Sequence, residues 1–212
     1  MNADLIETLP LPHRLALSYA PRRARTPVLA LMALEARLSA VLRQKGEAII
    51  AQMKLAWWRD RFGEPAEQWP RGEPLLELLR EWPGNREVLS GLVDGWEVLL
   101  GEQLDRRTIQ EFASARAAAW AEAGNSAADT LVACQYALAD LALHLEPGPE
   151  REDATALLAE SRGRGFPACS RNLRPLAVLR ALGLRALDRG NTELLDGPAA
   201  MLLALRVGIT GR

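Results

Sequence analysis

The chain has 212 residues, 49% of them hydrophobic and 25% charged, the balance of an ordinary globular protein with enough length for a sizeable core. Lys and Arg number 26 against 27 Asp and Glu, so the net charge is −1 and bulk nucleic-acid binding is not expected. Two cysteines, Cys134 and Cys169, are too few for a disulfide framework and too far apart for a metal motif, and both are expected to be reduced and structural.

The first residues, MNADLIETLPLPHRLAL, lack the basic region and continuous apolar core of a signal peptide. No apolar run reaches the ~18 residues of a membrane span. The expected location is cytoplasmic, with at most peripheral membrane contact. Pro10 and Pro12 break the N-terminal stretch, and a helix is expected from near Pro12 to Tyr19. Ala20 to Arg25 reads as a basic connection. Arg22, Arg23 and Arg25 there suit a polyphosphate clamp at a helix N-terminus, where unpaired N–H groups favour anions; the alternative is a solvated loop.

Thr26 and Pro27 predict the start of a long helix, since Thr caps well and Pro is tolerated at the first helical position. Leu31, Leu34, Leu38, Val41 and Leu42 form its apolar stripe. Gly46 stops it or bends the chain. A second helix carries Ile49, Ile50, Met53, Ala56, Trp57 and Phe62 as its expected apolar face. Gly63 to Pro74 is a loop rich in Pro and Gly. Leu75 to Trp82 is a short helix, whose Glu73, Glu77 and Glu81 share one face: a carboxylate ladder for metal or, as expected, a solvent face opposite the leucines. Arg86 to Gln103 is a helix burying Val88, Leu92, Val93, Trp96, Leu99 and Leu100. Asp94 and Glu97 lie three apart on it.

Thr108 and Glu111 predict a capping box for the next helix. From Phe112 to Ala123 that helix is nearly all small residues, which favour helix and close packing. Ser126 to Leu145 is a long apolar helix with Leu131, Cys134, Leu138, Leu141, Ala142 and Leu145 as its inner stripe. His144 near its end is a metal or proton ligand in one reading and a surface histidine in the other. Helices follow over 150–162, 171–189 and 198–207, with a loop at Gly163–Pro167. No strand-like alternation, repeat or Gly-rich phosphate loop is present. One all-α domain over 1–212, of about eight to ten helices, is expected.

The run ALMALEARLSAVLR followed by KLAWWRD resembles the start of the squalene/phytoene synthase family. That resemblance implies the isoprenoid-synthase helical bundle and, for an active member, Mg²⁺-dependent condensation of prenyl diphosphates. Ala30, Leu31 and Ala33 match the helix of the family's first motif, and Leu55, Trp58 and Arg59 match a following L-x-x-W-R element. Leu17-Ser18-Tyr19-Ala20 is similar to the remnant of a pocket-lining helix. The implied diphosphate-binding candidates are therefore Tyr19, Arg22, Arg23, Arg25, Trp58 and Arg59. The metal-binding aspartates are missing: Ser39, Ala40 and Arg43 stand in the first motif, and Leu141-Ala142 near the Arg-Asp of the second.

Mg²⁺ needs several hard oxygen ligands, and the family supplies them from paired Asp motifs. The nine Asp of this chain never fall within seven residues of one another, and Glu35 is the one carboxylate between Pro21 and Gln44. The chain is thus expected to be a catalytically degenerate squalene/phytoene synthase-like protein, binding an isoprenoid or other lipid, or a protein partner in assembly, with no cofactor. Leu55 to Asp60 resembles a non-catalytic branch that includes a mitochondrial assembly factor. Two alternatives remain. One is an active prenyltransferase with a rearranged acidic site drawn from Glu35, Asp94, Glu97 and Asp140, which needs at least two of these to converge on one cavity. The other is an unrelated helical interaction protein with an exposed apolar patch.

Overall fold

The computed structural model describes residues 2–44, 48–101, 103–163 and 169–211. Among them lie eleven α-helices, a few short 3-10 turns and no strand. The all-α class holds, and no described helix is long and apolar enough to cross a membrane. α1 (Asn2–Thr8) and α2 (Leu11–Leu17) flank Pro10, which cannot donate a helical hydrogen bond.

α3 (Arg22–Arg43) starts earlier than the Thr26 cap predicts. Its N-cap is Pro21, so Arg22, Arg23 and Arg25 form its first turn rather than a loop, and Pro27 lies inside the helix. A proline there forfeits one backbone hydrogen bond; Ala24, Pro27 and Val28, all buried, offset the loss by packing. The stripe Leu31, Leu34, Leu38 and Val41 is buried as expected. Gly46 lies outside the described residues.

α4 (Ala48–Gly63) buries Phe62 as expected but turns most of the expected face outward. Ile49 is 60% and Met53 68% exposed, with Ile50 and Trp57 also exposed, whereas Leu55 is fully buried with Trp58 and Phe62. Both sets recur at helical spacing, so periodicity alone could not choose between them. The choice is made by α6, against which α4 packs. The following loop is anchored by buried Trp69, whose Nε1 donates to the Glu64 carbonyl, while Arg80 donates to the carbonyls of Ala66 and Trp69.

α5 (Pro74–Leu79) buries all four of its leucines; its N-cap Glu73 faces Arg37, Glu77 faces Arg80, and Glu81 beyond its end is exposed. α6 (Glu87–Glu97) ends sooner than expected, passing into a 3-10 turn at Val98–Leu100. α7 (Arg106–Gly124) begins before the predicted cap: Asp105 is the N-cap, its Oδ1 accepting from the Thr108 N–H and hydroxyl. Asn125 closes the helix in the left-handed conformation at φ 51°.

α8 (Thr130–His144) is buried at ten of fifteen positions, so it has no single inner stripe; it is the central helix, surrounded by α7, α9 (Pro149–Gly163) and α10 (Arg174–Asp188). α11 (Pro198–Thr210) packs on α10. Successive packing runs α4, α6, α7, α8, α10, α11, with α3 laid against α7, α5, α4 and α6. Gly95 and Gly208 are two of the positions where a close approach needs glycine. A methyl on Gly95 of α6 would lie 2.5 Å from Ala115 Cβ on α7, and one on Gly208 of α11 would meet the Tyr19 ring at 2.4 Å. At the edges of this row, α4 leaves its outer stripe exposed, and α11 exposes Met201, Leu202, Leu205 and Ile209.

Candidate functional site

The small-residue helix α7 carries one inward charge, Arg116, whose side chain is 2% exposed. α7 packs against both α3 and α8, which bring Glu35 and Asp140 to the guanidinium. Arg116 Nε donates to Glu35 Oε1 at 2.6 Å, Nη2 to Glu35 Oε2 at 3.1 Å, and Nη1 to Asp140 Oδ2 at 2.7 Å. The pairing with Glu35 is bidentate, the strong form of this contact. Three aromatic rings complete the surround: Cζ lies 4.8 Å from the Tyr136 centroid, 5.2 Å from Phe112 and 5.3 Å from Trp96. Burial alone works against the charge, but Glu35 and then Asp140 outweigh it and hold Arg116 protonated. Burial would likewise raise the Asp140 carboxyl; Arg116 overrides it, and the group sits below its ordinary value.

A cleft of about 310 Å³ opens onto this cluster. His13 of α2 and Tyr136 of α8 stand on its wall, 3.4 Å apart from Nε2 to hydroxyl. Burial, above all, lowers the His13 pKa to about 4, with Arg116 and His144 adding to the effect and Asp140 opposing it. His13 is therefore neutral at pH 7, and its Nδ1 is buried with no partner. Burial and then Asp140 push the Tyr136 hydroxyl well above its usual range. His144 is exposed, and its Nδ1 is 2.8 Å from the Asp140 carbonyl. Ser39, Ala40 and Arg43, at the positions the resemblance assigns to the first acidic motif, line the same cleft.

The four candidate carboxylates divide into two pairs. Glu35 and Asp140 converge on the cleft through Arg116. Asp94 and Glu97 do not join them; both bind Arg59 across the α4–α6 contact, Asp94 Oδ1 accepting from Nε at 2.6 Å and Glu97 accepting from Nη2. The six diphosphate-binding candidates do not converge. Tyr19 packs on Gly208. Arg23 donates to Asn172 Oδ1, and Arg25 to the Leu17 carbonyl. Arg22 is exposed, Trp58 is buried between Trp57 and Phe62, and Arg59 is engaged by two acids. Of these, none lines the cleft.

The donor set at the cleft does not suit Mg²⁺. Its two carboxylates already bind a guanidinium, so an added dication would meet Arg116 at close range. No group of three or more metal-binding side chains comes together among the described residues, at the cleft or away from it. Arg116, His13 and Tyr136 are functional candidates that the sequence reading passed over. For Arg116 a signal existed: one arginine at the centre of ASARAAAW, where a surface arginine would be expected to have charged company. No such signal marks His13, whose place depends on how α2 docks. Comparisons with protein-family models, with curated proteins and with solved structures found no match.

Proposed function

We propose that this chain is a catalytically silent bundle of the squalene/phytoene synthase type, retaining the shell as a lipid-binding or assembly module without metal chemistry. The observation that carries this reading is Arg116, seated between Glu35 and Asp140. Ionising an allylic diphosphate calls for Mg²⁺ to neutralise the leaving group. Here the inward carboxylates are already bound by a side chain of the protein itself, which offsets one of their two charges. The cleft is also at the lower end of the 300–1,000 Å³ usual for ligand pockets. The assembly side of the reading draws on the outer stripe of α4, where exposed Ile49, Ile50, Met53 and Trp57 suit burial against a protein partner.

One observation favours the active alternative: Glu35 and Asp140 do meet at one cleft, as a rearranged acidic site would require. Calorimetric titration with farnesyl thiodiphosphate, a non-hydrolysable analogue, separates the two. Binding unchanged by Mg²⁺ supports the silent binder. Binding that tightens tenfold or more with Mg²⁺ overturns it in favour of the enzyme.

A further inference from the structure

A second concavity, of about 800 Å³, lies between α8, α10 and α11 and shares no residue with the central cleft. Its wall is built from apolar side chains, chiefly Val132, Leu184, Leu203 and Val207. Four arginines join them: Arg180, Arg185, Arg189 and Arg206. Against these charges the lining holds one carboxylate, Asp188, so the groove carries a net charge of four minus one, or +3.

Nearby acids remove only part of this balance, since Asp196 offsets Arg185 and leaves about +2. Arg185 is bound to Asp196, and Asp188 lies 3.8 Å from Arg162. Arg189 and Arg206 have no carboxylate within ion-pair distance among the described residues. Arg180 donates through Nη1 to Gln135, yet its Nε is buried with no acceptor. A buried donor without a partner costs about 1–3 kcal/mol unless a ligand or water satisfies it. Elsewhere Arg59, Arg106 and Arg116 each cross to a neighbouring helix and end on a carboxylate. In this groove Arg189 and Arg206 are left without a carboxylate, and Arg180 with an unpaired Nε, beside an apolar wall.

We propose that the groove binds a single-chain amphiphile with an anionic head. Its tail lies along Val132, Leu184, Leu203 and Val207, and its head is held by Arg180, Arg189 and Arg206. The inference rests on the lipid-binding reading above and assigns it a location away from the central cleft.

The test is calorimetry with dodecyl phosphate below its micelle concentration, with dodecanol, inorganic phosphate and phosphatidylcholine vesicles with and without phosphatidylglycerol as companion probes. Dodecyl phosphate is expected to bind at least tenfold more tightly than dodecanol or inorganic phosphate. The double variant R189E/R206E should weaken it tenfold or more while leaving the circular dichroism spectrum and Tm unchanged, because both side chains are exposed. Anionic vesicles that bind, and are lost in the same variant, would assign the head to a membrane lipid; dodecyl phosphate binding without vesicle binding would assign a free amphiphile. Either outcome upholds the site. Equal binding of dodecanol, or dodecyl phosphate binding unchanged in the double variant, overturns it. Metal-independent binding of the farnesyl probe that survives R189E/R206E would remove the groove while the lipid-binding reading stands. Mg²⁺-dependent binding of that probe would remove the reading itself.

Discussion

Removing one member of a buried ion cluster is far more costly than never having built it. Arg116→Met would leave Glu35, 5% exposed, without its cation, and should destabilise the protein by about 3–5 kcal/mol. The double variant E35L/R116L replaces the buried pair with apolar volume and leaves Asp140, whose side chain is 20% exposed, able to reach water. It should recover most of that loss, and urea denaturation of the two variants at pH 7 compares them directly. A double variant as unstable as the single one would mean the aromatic surround needs the guanidinium itself. His13 supplies a separate pH dependence. Its pKa falls from 6.5 in the unfolded chain to about 4 in the folded protein, so between these values the unfolded state binds more protons and stability rises with pH. Acidification from pH 6.5 to 4 should therefore remove up to about 3 kcal/mol, and H13Q should flatten this part of the profile. Asp140 acts at lower pH: its folded pKa is depressed, so its contribution is present above the ordinary carboxylate range and is lost as pH falls through the lower folded value.

At the scale of the elements, α4 offers the sharpest test, because two apolar stripes compete on one helix. Met53→Lys should change stability by no more than about 0.5 kcal/mol, as surface substitutions do. Leu55→Ala should cost about 2–5 kcal/mol. Thermal unfolding of this pair would show the reverse order if the stripe expected from sequence faced the core. Asp105→Ala should cost about 0.5–2 kcal/mol by leaving the Thr108 N–H uncapped, whereas a Thr108 cap would make Asp105 dispensable. These elements also mark what sequence patterns could reveal. Most helices fall near their expected places, because Pro10, the Gly63–Pro74 loop, Asn125 and Pro147–Pro149 are local signals. The start of α3 was missed because a buried proline at position 27 is tolerated only through packing with distant helices. The face of α4 was missed because α6 selects it. The convergence of Glu35 and Asp140 was foreseeable only as one possible pairing among four carboxylates. The arginine that joins them lies 81 residues from the first and 24 from the second, and no local pattern encodes such contacts.

For the whole molecule, the question is whether the bundle is held by an internal cation or awaits an external one, and linkage answers it without any assay of activity. A Mg²⁺ site in the native state with a dissociation constant of ~0.1 mM would add about 2.7 kcal/mol at 10 mM Mg²⁺. For a chain of this length each kcal/mol moves Tm by about 2–4 °C, so such a site would raise Tm by about 5–10 °C. With Arg116 in place, the expected change is under ~1 °C on adding 10 mM Mg²⁺ or EDTA, because binding would require displacing a bidentate guanidinium already matched to its acids. Arg116→Ala reverses the situation: Glu35 and Asp140 then face the cleft with no cation. That variant should start well below the parent in Tm and regain several degrees in Mg²⁺, while NaCl at equal ionic strength restores less. A parent protein that gains several degrees in Mg²⁺ would show that Arg116 does not stand in for a metal. A variant that stays insensitive would show that the two carboxylates cannot form a cation site even when vacated. The pair of scans thus separates a bundle in which a guanidinium fills a cation site from one whose carboxylates are not placed to hold a metal.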